Sequence, residues 1–511
     1  MNRKSRSLLN KHRVLVCILL ALQIALSILI IAGAGFVFYC LGIAFALISI
    51  IIALCVAGTK FQAEYRIAWI ALILILPLFG SIVYLIYWLQ AKSNKFGKAF
   101  MEANKKGKTQ LQTNNKLSEN IALSNKAYFP HVNYLEKSAG FPLYENTANK
   151  YLKIGEEFYA SLLQELAKAK KYIFIEFYAI KEGKMWDGVL QILEQKASEH
   201  VDVRIIYDDL GSFSLFKADY IVQLHSKHIK TVAFNPLRPI LTTVQSCRNH
   251  RKSVVIDGIV AYTGGINIAD EYINEHEIHG HWKDTAIMIS GDGAWCMSVI
   301  FLSLWSFCTS EAVDYRSFEP IGDLLNAYST NGYVQPYYDN PFDDERVAES
   351  AYLNIIQRAK NYLYIHTPYL IIGDTLLFAL SLAAKSGIDV RIVTPHADDV
   401  RFMRMATRSY YRRLVEAGVK IYEYAPGFMH SKLMISDDNI AVIGSVNLDY
   451  RSLNLQLECG IMLYESSEIQ NMKSDYLNSL DLCNKITKDI CETSAFVRFL
   501  QGIIRIFSPI L

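Results

Sequence analysis

Charged residues are scarce in this chain of 511 residues: Asp, Glu, Lys and Arg make up 20%, against 52% hydrophobic residues. The apolar excess must therefore fill large cores or sit in a bilayer. The scarcity is most complete near the start, where the 46 residues from Val14 to Thr59 carry no formal charge. A bilayer span needs about 20 apolar residues, so this stretch reads as two spans with Gly33-Ala34-Gly35 as the turn, and it is too long for a cleaved signal peptide. A third apolar stretch, Ile67 to Leu89, is interrupted by Pro77 and Gly80 and reads either as a kinked third span or as a re-entrant hairpin.

Paired cysteines are missing too. None of the nine cysteines stands in a C-x-x-C pair and three lie in the apolar spans, which speaks against a disulfide framework or zinc site and for a reducing, cytoplasmic setting. Positive charge is missing from the large remainder: residues 117–511 sum to −9, whereas residues 1–13 hold +5 and residues 91–116 hold +6. A nucleic-acid-binding protein needs a basic footprint on its soluble part, so no nucleic-acid partner is expected. Basic flanks fit the positive-inside rule and attraction to anionic membrane lipid. Both flanks on the cytoplasmic side require an even number of crossings, so the expectation is a multi-pass protein of the cell membrane. It has two spans plus a re-entrant Pro77 segment and a cytoplasmic catalytic part.

What is present beyond residue 135 is a repeat. KAKKYIFIEF (168–177) matches RAKNYLYIHT (358–367), and VDVRIIYDDL (201–210) matches IDVRIVTPHA (388–397), at nearly one offset. Each pair brackets a helical stretch, about 184–198 and 373–386, giving a βαβ unit with parallel strands. Four regions follow: a membrane anchor (1–90), a basic linker (91–135), and two α/β domains (136–325 and 326–511), the second ending in an amphipathic segment. In that segment Arg498 and Arg505 share one helical face, and it either lies on the bilayer or packs in the core.

The repeat runs into the most informative residues. HRKSVVIDGIVAYTGGIN places His250, Lys252, Asp257, Gly264, Gly265 and Asn267 as HSKLMISDDNIAVIGSVN places His430, Lys432, Asp437, Gly444, Ser445 and Asn447. Both obey H-x-K-x4-D-x6-G-[GS]-x-N without a gap. Histidine and lysine two apart on an extended segment point the same way, so a nitrogen nucleophile and a fixed cation face one substrate. Asp-Gly at 257–258 and Asp-Asp-Asn at 437–439 are turn chemistry, making each motif a hairpin. Gly265, Ser445, Asn267 and Asn447 are expected to make room for and donate to a phosphate oxygen. By strand parity Asp257 and Asp437 complete the motif from the face away from substrate. Asp284 and Glu458, at matching places beyond the hairpins, are the carboxylates expected to hold the imidazoles.

These paired motifs resemble the phospholipase D superfamily. Within it, the likeness is closest to bacterial cardiolipin synthases, through the apolar segment at 69–85, DDLGS (208–212), FNP (234–236), WKDT (282–285), TPYL (367–370) and the final FSPIL. The resemblance implies N-terminal transmembrane helices followed by two pseudo-symmetric phospholipase D-type α/β domains sharing one active site. It also implies transfer of a phosphatidyl group between two phosphatidylglycerol molecules, giving cardiolipin and glycerol through a phosphohistidine, with no metal or other cofactor. Hydrolysis, or transfer to another alcohol, would use the same motif. One departure is His279-Gly280-His281 ahead of Trp282, where the family usually has F-G-x. With His276, these histidines sit on a Gly-containing loop without the spacing of a zinc site. His366, aligned with Glu176, reads as a polar group at a strand end.

Overall fold

The structure is a computed structural model describing residues 3–32, 35–92, 95–111, 117–119, 121, 128–237, 243–320, 332–397 and 401–510. Contacts divide it into two units. One comprises Met1–Phe96, Leu237–Ser246 and Ser494–Leu511, the other Gly97–Pro236 and Cys247–Thr493.

In the first unit the basic N-terminal residues and the uncharged sequence form α1 (Arg3–Ile31) and α2 (Phe36–Ala57), and the third apolar stretch forms α3 (Ala63–Ile75) and α4 (Pro77–Lys92). The expected turn at Gly33 and Ala34 lies outside the described residues. A proline disfavours helical geometry in the residue before it, and Leu76 is accordingly non-helical at φ −123° and ψ 76°. By length and composition α2 could cross a membrane, while the apolar parts Cys17–Ile30 and Pro77–Gln90 are shorter. The tail forms a helix, Ala495–Phe507, with Phe496, Phe499, Ile503 and Ile506 exposed. Its end packs Ile510 against the cluster of Trp69, Ile73 and Tyr84. The tail thus groups with the N-terminal helices, whereas the sequence reading placed it with the second α/β domain.

The second unit holds the repeat as two mixed sheets. The first half builds seven strands: β1 (Thr147–Leu152), β2 (Tyr172–Phe177), β3 (Asp202–Asp208), β4 (Ile229–Phe234), β5 (Lys252–Ile256), β6 (Val260–Gly264) and β8 (Ala286–Gly291), in the order β1-β8-β6-β5-β2-β3-β4. The short β7 (His281–Lys283) stands apart from this sheet, as do β11 (Leu370–Ile371) and β17 (Leu448–Asp449), which pair with each other. The second half repeats the plan with β9 (Tyr333–Asp339), β10 (Tyr362–His366), β12 (Asp389–Pro395), β13 (Lys420–Tyr424), β15 (Leu433–Ser436), β16 (Ile440–Gly444) and β18 (Glu458–Tyr464), and adds β19 (Cys483–Ile486) at the edge. As the βαβ reading requires, β2–β3 and β10–β12 are parallel and are linked by helices Lys184–Ser198 and Asp374–Lys385. The hairpins β5–β6 and β15–β16 are antiparallel. Positive φ at Asp257 (54°) and Gly258 (72°), and at Asp437 (54°) and Asp438 (64°), fits the tight turns whose twist matches paired strands.

Two helices lie outside the sequence reading. The helix Asp292–Thr309 is apolar enough to span a membrane, yet two thirds of it is buried; it is a core helix packed on the first sheet and against β9. The stretch read as a linker contains the helix α5 (Lys95–Lys108). Phe100 of this helix sets its ring 5.4 Å from Phe307 and 5.0 Å from Phe342, and Lys108 donates to the Ala139 carbonyl at 2.7 Å. Two phenylalanines and a methionine among lysines and glycines leave little apolar periodicity to read. The expected boundary between the α/β domains, near 325, falls outside the described residues.

Candidate active site

The two sheets approach each other through β6, β8, β16 and β18, and the paired motifs meet there. His250 precedes β5, and its backbone N–H donates to the Leu457 carbonyl at 2.9 Å, just ahead of β18. In the mirror arrangement β14 (Gly427–Met429) pairs in parallel with β7, and the His430 N–H donates to the Lys283 carbonyl at 2.8 Å. Each histidine is thereby docked beside the carboxylate of the opposite half. His250 Nδ1 lies 2.9 Å from Glu458 Oε1, and His430 Nδ1 lies 2.6 Å from Asp284 Oδ2. Asp284 and Glu458 hold the imidazoles as the sequence suggested, but crosswise.

The carboxylates are fixed in turn. Glu458 accepts from Ser452 Oγ at 2.5 Å and from Ser445 Oγ. Asp284 Oδ1 accepts from the Thr285 N–H at 2.8 Å, and a Cβ added at Gly265 would stand 2.2 Å from that oxygen. The G-[GS] position therefore serves the carboxylate, by yielding space in one half and donating a hydroxyl in the other. This replaces the expected role of Gly265 and Ser445 beside a phosphate oxygen.

Lys252 and Lys432 fold back on their own histidines, each donating to its carbonyl, at 2.5 Å for Lys252. Lys432 Nζ also stands 2.9 Å from His430 Nδ1. With the Nδ1 proton pointed at Asp284, Nδ1 cannot also accept from Lys432, whose ammonium opposes a charge on the imidazole. Burial lowers the Lys252 ammonium to about 7 and the His250 imidazole to about 4, in the latter case against the opposing pull of Glu458. Burial also holds His430 well below its ordinary value, helped by Lys432 and Lys252, and raises Asp284 to about 7. Tyr178 packs edge-on to His250, while Tyr272, Trp282 and Phe428 surround His430.

Asn267 is committed elsewhere. Its Oδ1 accepts from the Ala179 N–H at 3.1 Å and its Nδ2 donates to the Tyr272 hydroxyl at 2.6 Å. Asn447 donates its amide to Asp449 and its N–H to Ser452 Oγ. Each asparagine thus braces the loop after its hairpin with one N–H of its amide.

Asp257 accepts from the N–H groups of Lys170, Lys171 and Tyr172 at 2.7–2.8 Å, and Asp437 from those of Lys360, Asn361 and Tyr362 at 2.7–3.0 Å. Each ties its hairpin turn to the entry of the central strand. They sit in the turns, so distance along the strand, more than the face, separates them from the histidines. Asp257→Asn replaces one accepting oxygen with an amide that meets an N–H head-on. A hydrogen bond to a charged group contributes about 1.5–3 kcal/mol, so stability should drop by about 2 kcal/mol. The folded fraction should keep its turnover; a well-folded Asp257→Asn protein without activity would place this carboxylate at the chemistry after all.

Other positioning residues were not singled out from sequence. Buried Asp208, raised to about 6 by burial, accepts from the Asn249 N–H at 2.9 Å, and Arg248 donates to the Asn235 carbonyl at 2.9 Å. Asn249 donates to buried Glu176 at 2.8 Å. DDLGS and FNP thereby lock the segment entering His250. His366 is buried, stacked on Tyr476 and 3.3 Å from Ser479 Oγ. Among the described residues no group of His, Cys, Asp and Glu is arranged to hold a metal.

Residues 162–288 and 352–479 both match the family described as "Cardiolipin synthase, PLD-like domain". A cardiolipin synthase of Alkalihalophilus pseudofirmus is 33% identical over 92% of this chain and 94% of its own length. The chain belongs to the cardiolipin synthase family. The cardiolipin synthase of Geobacillus kaustophilus is likewise 33% identical over 90% of this chain and 92% of its own. An uncharacterized protein of Streptococcus mutans is 37% identical over 87% of this chain and 96% of its own. Among solved structures, the phosphatidylserine synthase of Haemophilus influenzae superposes with a TM-score of 0.55 at 16% identity, covering 71% of this chain and 95% of that one. At that identity the likeness speaks for the fold: two phospholipase D-like α/β domains.

Proposed function

We propose that this chain is a cardiolipin synthase, moving a phosphatidyl group from one phosphatidylglycerol to a second and releasing glycerol. The observation that carries the reading is the crossed pair of histidines. Each has its Nδ1 bound to a buried carboxylate of the other half, which fixes the tautomer whose Nε2 bears the lone pair.

His250 is the better nucleophile, because Glu458, held by two serine hydroxyls, keeps the Nδ1–H tautomer in place. Its Nε2 attacks the donor phosphorus, the bond to the glycerol headgroup oxygen breaks, and that oxygen takes a proton from His430. The proton is placed on the His430–Asp284 pair because Asp284, raised to about 7 by burial, can hold one near neutrality. The negative phosphodiester then favours the charged imidazole. In the second step His430 takes the proton of the acceptor's terminal hydroxyl, whose oxygen attacks phosphorus as the N–P bond breaks. Lys252 and Lys432 stabilise the charge on the non-bridging oxygens.

A lipid substrate fits a membrane-anchored enzyme. The uncharged stretch from Val14 to Thr59, the basic flanks and the amphipathic tail support anchorage in the cell membrane with the catalytic unit in the cytoplasm.

Purified protein mixed with phosphatidylglycerol vesicles should form cardiolipin and glycerol in equal amounts, unaffected by EDTA. Phosphatidic acid as the main product would make the chain a hydrolase, and EDTA inhibition reversed by a divalent ion would overturn the lysine-only account of charge stabilisation.

A further inference from the structure

The first unit places polar side chains where an apolar span has no ordinary use for them. Gln23, nine residues past Val14 in the uncharged part of α1, is buried; its Oε1 accepts from the Leu78 N–H at 2.9 Å and the Phe79 N–H at 3.4 Å. Ser49 of α2 donates to the Pro77 carbonyl at 3.0 Å and lies 3.0 Å from Ser81 Oγ. These partners satisfy the break at Leu76–Pro77. The first N–H groups of a helix have no internal acceptor, and in hydrocarbon each would otherwise cost several kcal/mol.

The break is a reversal of the chain. The Trp69 and Tyr84 rings are 5.3 Å apart, and the Phe61 and Tyr87 rings 6.0 Å apart. In one continuous helix, fifteen residues would separate Trp69 from Tyr84 by about 22 Å. Gly80 makes the close approach possible: a Cβ there would stand 2.5 Å from the Leu72 carbonyl oxygen and 2.8 Å from the Ile73 Cα. The arms, of 13 and 16 residues, lie side by side.

The depth of the turn follows from α2. Ser49 is eight residues before the end of α2 at Ala57, about 12 Å along the helix. The hydrocarbon core is about 30 Å thick, so a tip held at Ser49 lies near its middle. At the other end Arg66 donates to the Ala57 carbonyl at 2.9 Å, setting the entry of α3 level with the end of α2. We infer that α3 and α4 form a re-entrant hairpin that enters one leaflet, turns at mid-depth on a cap supplied by Gln23 and Ser49, and leaves on the side it entered. The partner of this surface is the acyl layer of that leaflet. The chain then crosses the membrane twice, and the basic residues at the start of α1, Lys60 between α2 and α3, and the lysines of α5 share one side. This inference does not depend on the reaction assigned above.

Single cysteines introduced by Lys60→Cys and Lys98→Cys in an otherwise cysteine-free chain test the sidedness. Both should resist an impermeant thiol reagent in intact cells and both should react in inverted vesicles. Reaction on opposite sides would make α3–α4 a true span and overturn the inference. A spin label at Leu76→Cys should show an oxygen-to-nickel-chelate accessibility ratio about tenfold above that at Lys60→Cys, as expected of the apolar core; equal ratios would place the tip in water. Adding Gln23→Leu should let the chelate reach Leu76→Cys severalfold more readily, and an unchanged ratio would refute the capping role of Gln23.

Discussion

Replacing His250 or His430 by alanine should each lower cardiolipin formation by at least about a thousandfold, and the double variant should be hardly slower than either. Nucleophile and proton donor act on one phosphorus, so with one removed the other has nothing to assist. His250→Ala removes the atom that would carry the phosphatidyl group, and His430→Ala leaves the glycerol oxygen without its proton. The check is a radiolabelled-phosphatidylglycerol assay on the three variants at matched folded concentration. Circular dichroism and melting confirm the folded fraction, since both imidazoles are buried beside carboxylates of the opposite half. Residual activity of about a tenth in either single variant would contradict the shared-site reading. Losses that multiply in the double variant would mean that the two histidines contribute independently rather than as one unit. Trapping should separate the roles further. If His250 is the nucleophile, His430→Ala should still accept label covalently from a substrate with a good leaving group, and His250→Ala should not.

The sequence made much of this site legible because the chain states it twice. One H-x-K pair carries little information, but the same spacing to Asp, Gly and Asn in two halves identified His250, Lys252, His430 and Lys432 together. It also placed the hairpins from turn chemistry alone; Asp257 and Asp437 lie apart from the histidines because they sit in those turns, more than through the strand face on which parity put them. The crossing of the carboxylates was out of reach, since a motif records spacing along the chain while the crossing depends on how one sheet meets the other. Nor could spacing show that Tyr272 and Asp449 engage the amides of Asn267 and Asn447. The helix of α5 escaped because its burial rests on Phe100 and on glycines that permit close contact, a signal too sparse for periodicity. At Pro77 the sequence offered a kink or a hairpin; the aromatic pairs across the break decide for the hairpin.

The crossed carboxylates set up the second large effect. Asp284→Asn and Glu458→Gln keep the shape of each side chain but put an amide where the Nδ1–H needs an acceptor. Each should lower turnover by about a hundredfold, the scale seen when the partner of a functional histidine is removed. Loss of activity alone would not tell crossed from uncrossed pairing, because both histidines are needed in every cycle. Histidine-selective nitrogen labelling distinguishes them. The far-downfield Nδ1–H signal of His430 should shift or vanish in Asp284→Asn while that of His250 stays, and Glu458→Gln should do the reverse. The two variants should also differ in kind. Glu458 is shared among His250, Ser445 and Ser452, so its replacement disturbs a network and should lower stability as well as rate. Asp284 has the Thr285 N–H and His430 as its hydrogen-bond partners and is already raised to about 7 by burial. Its neutral replacement should therefore lower the rate with little loss of stability at pH 7, where part of the native population already carries an uncharged carboxyl. A shift of the His250 signal in Asp284→Asn would show that each half supplies its own carboxylate, and the interlocked arrangement of the two domains would have to be abandoned.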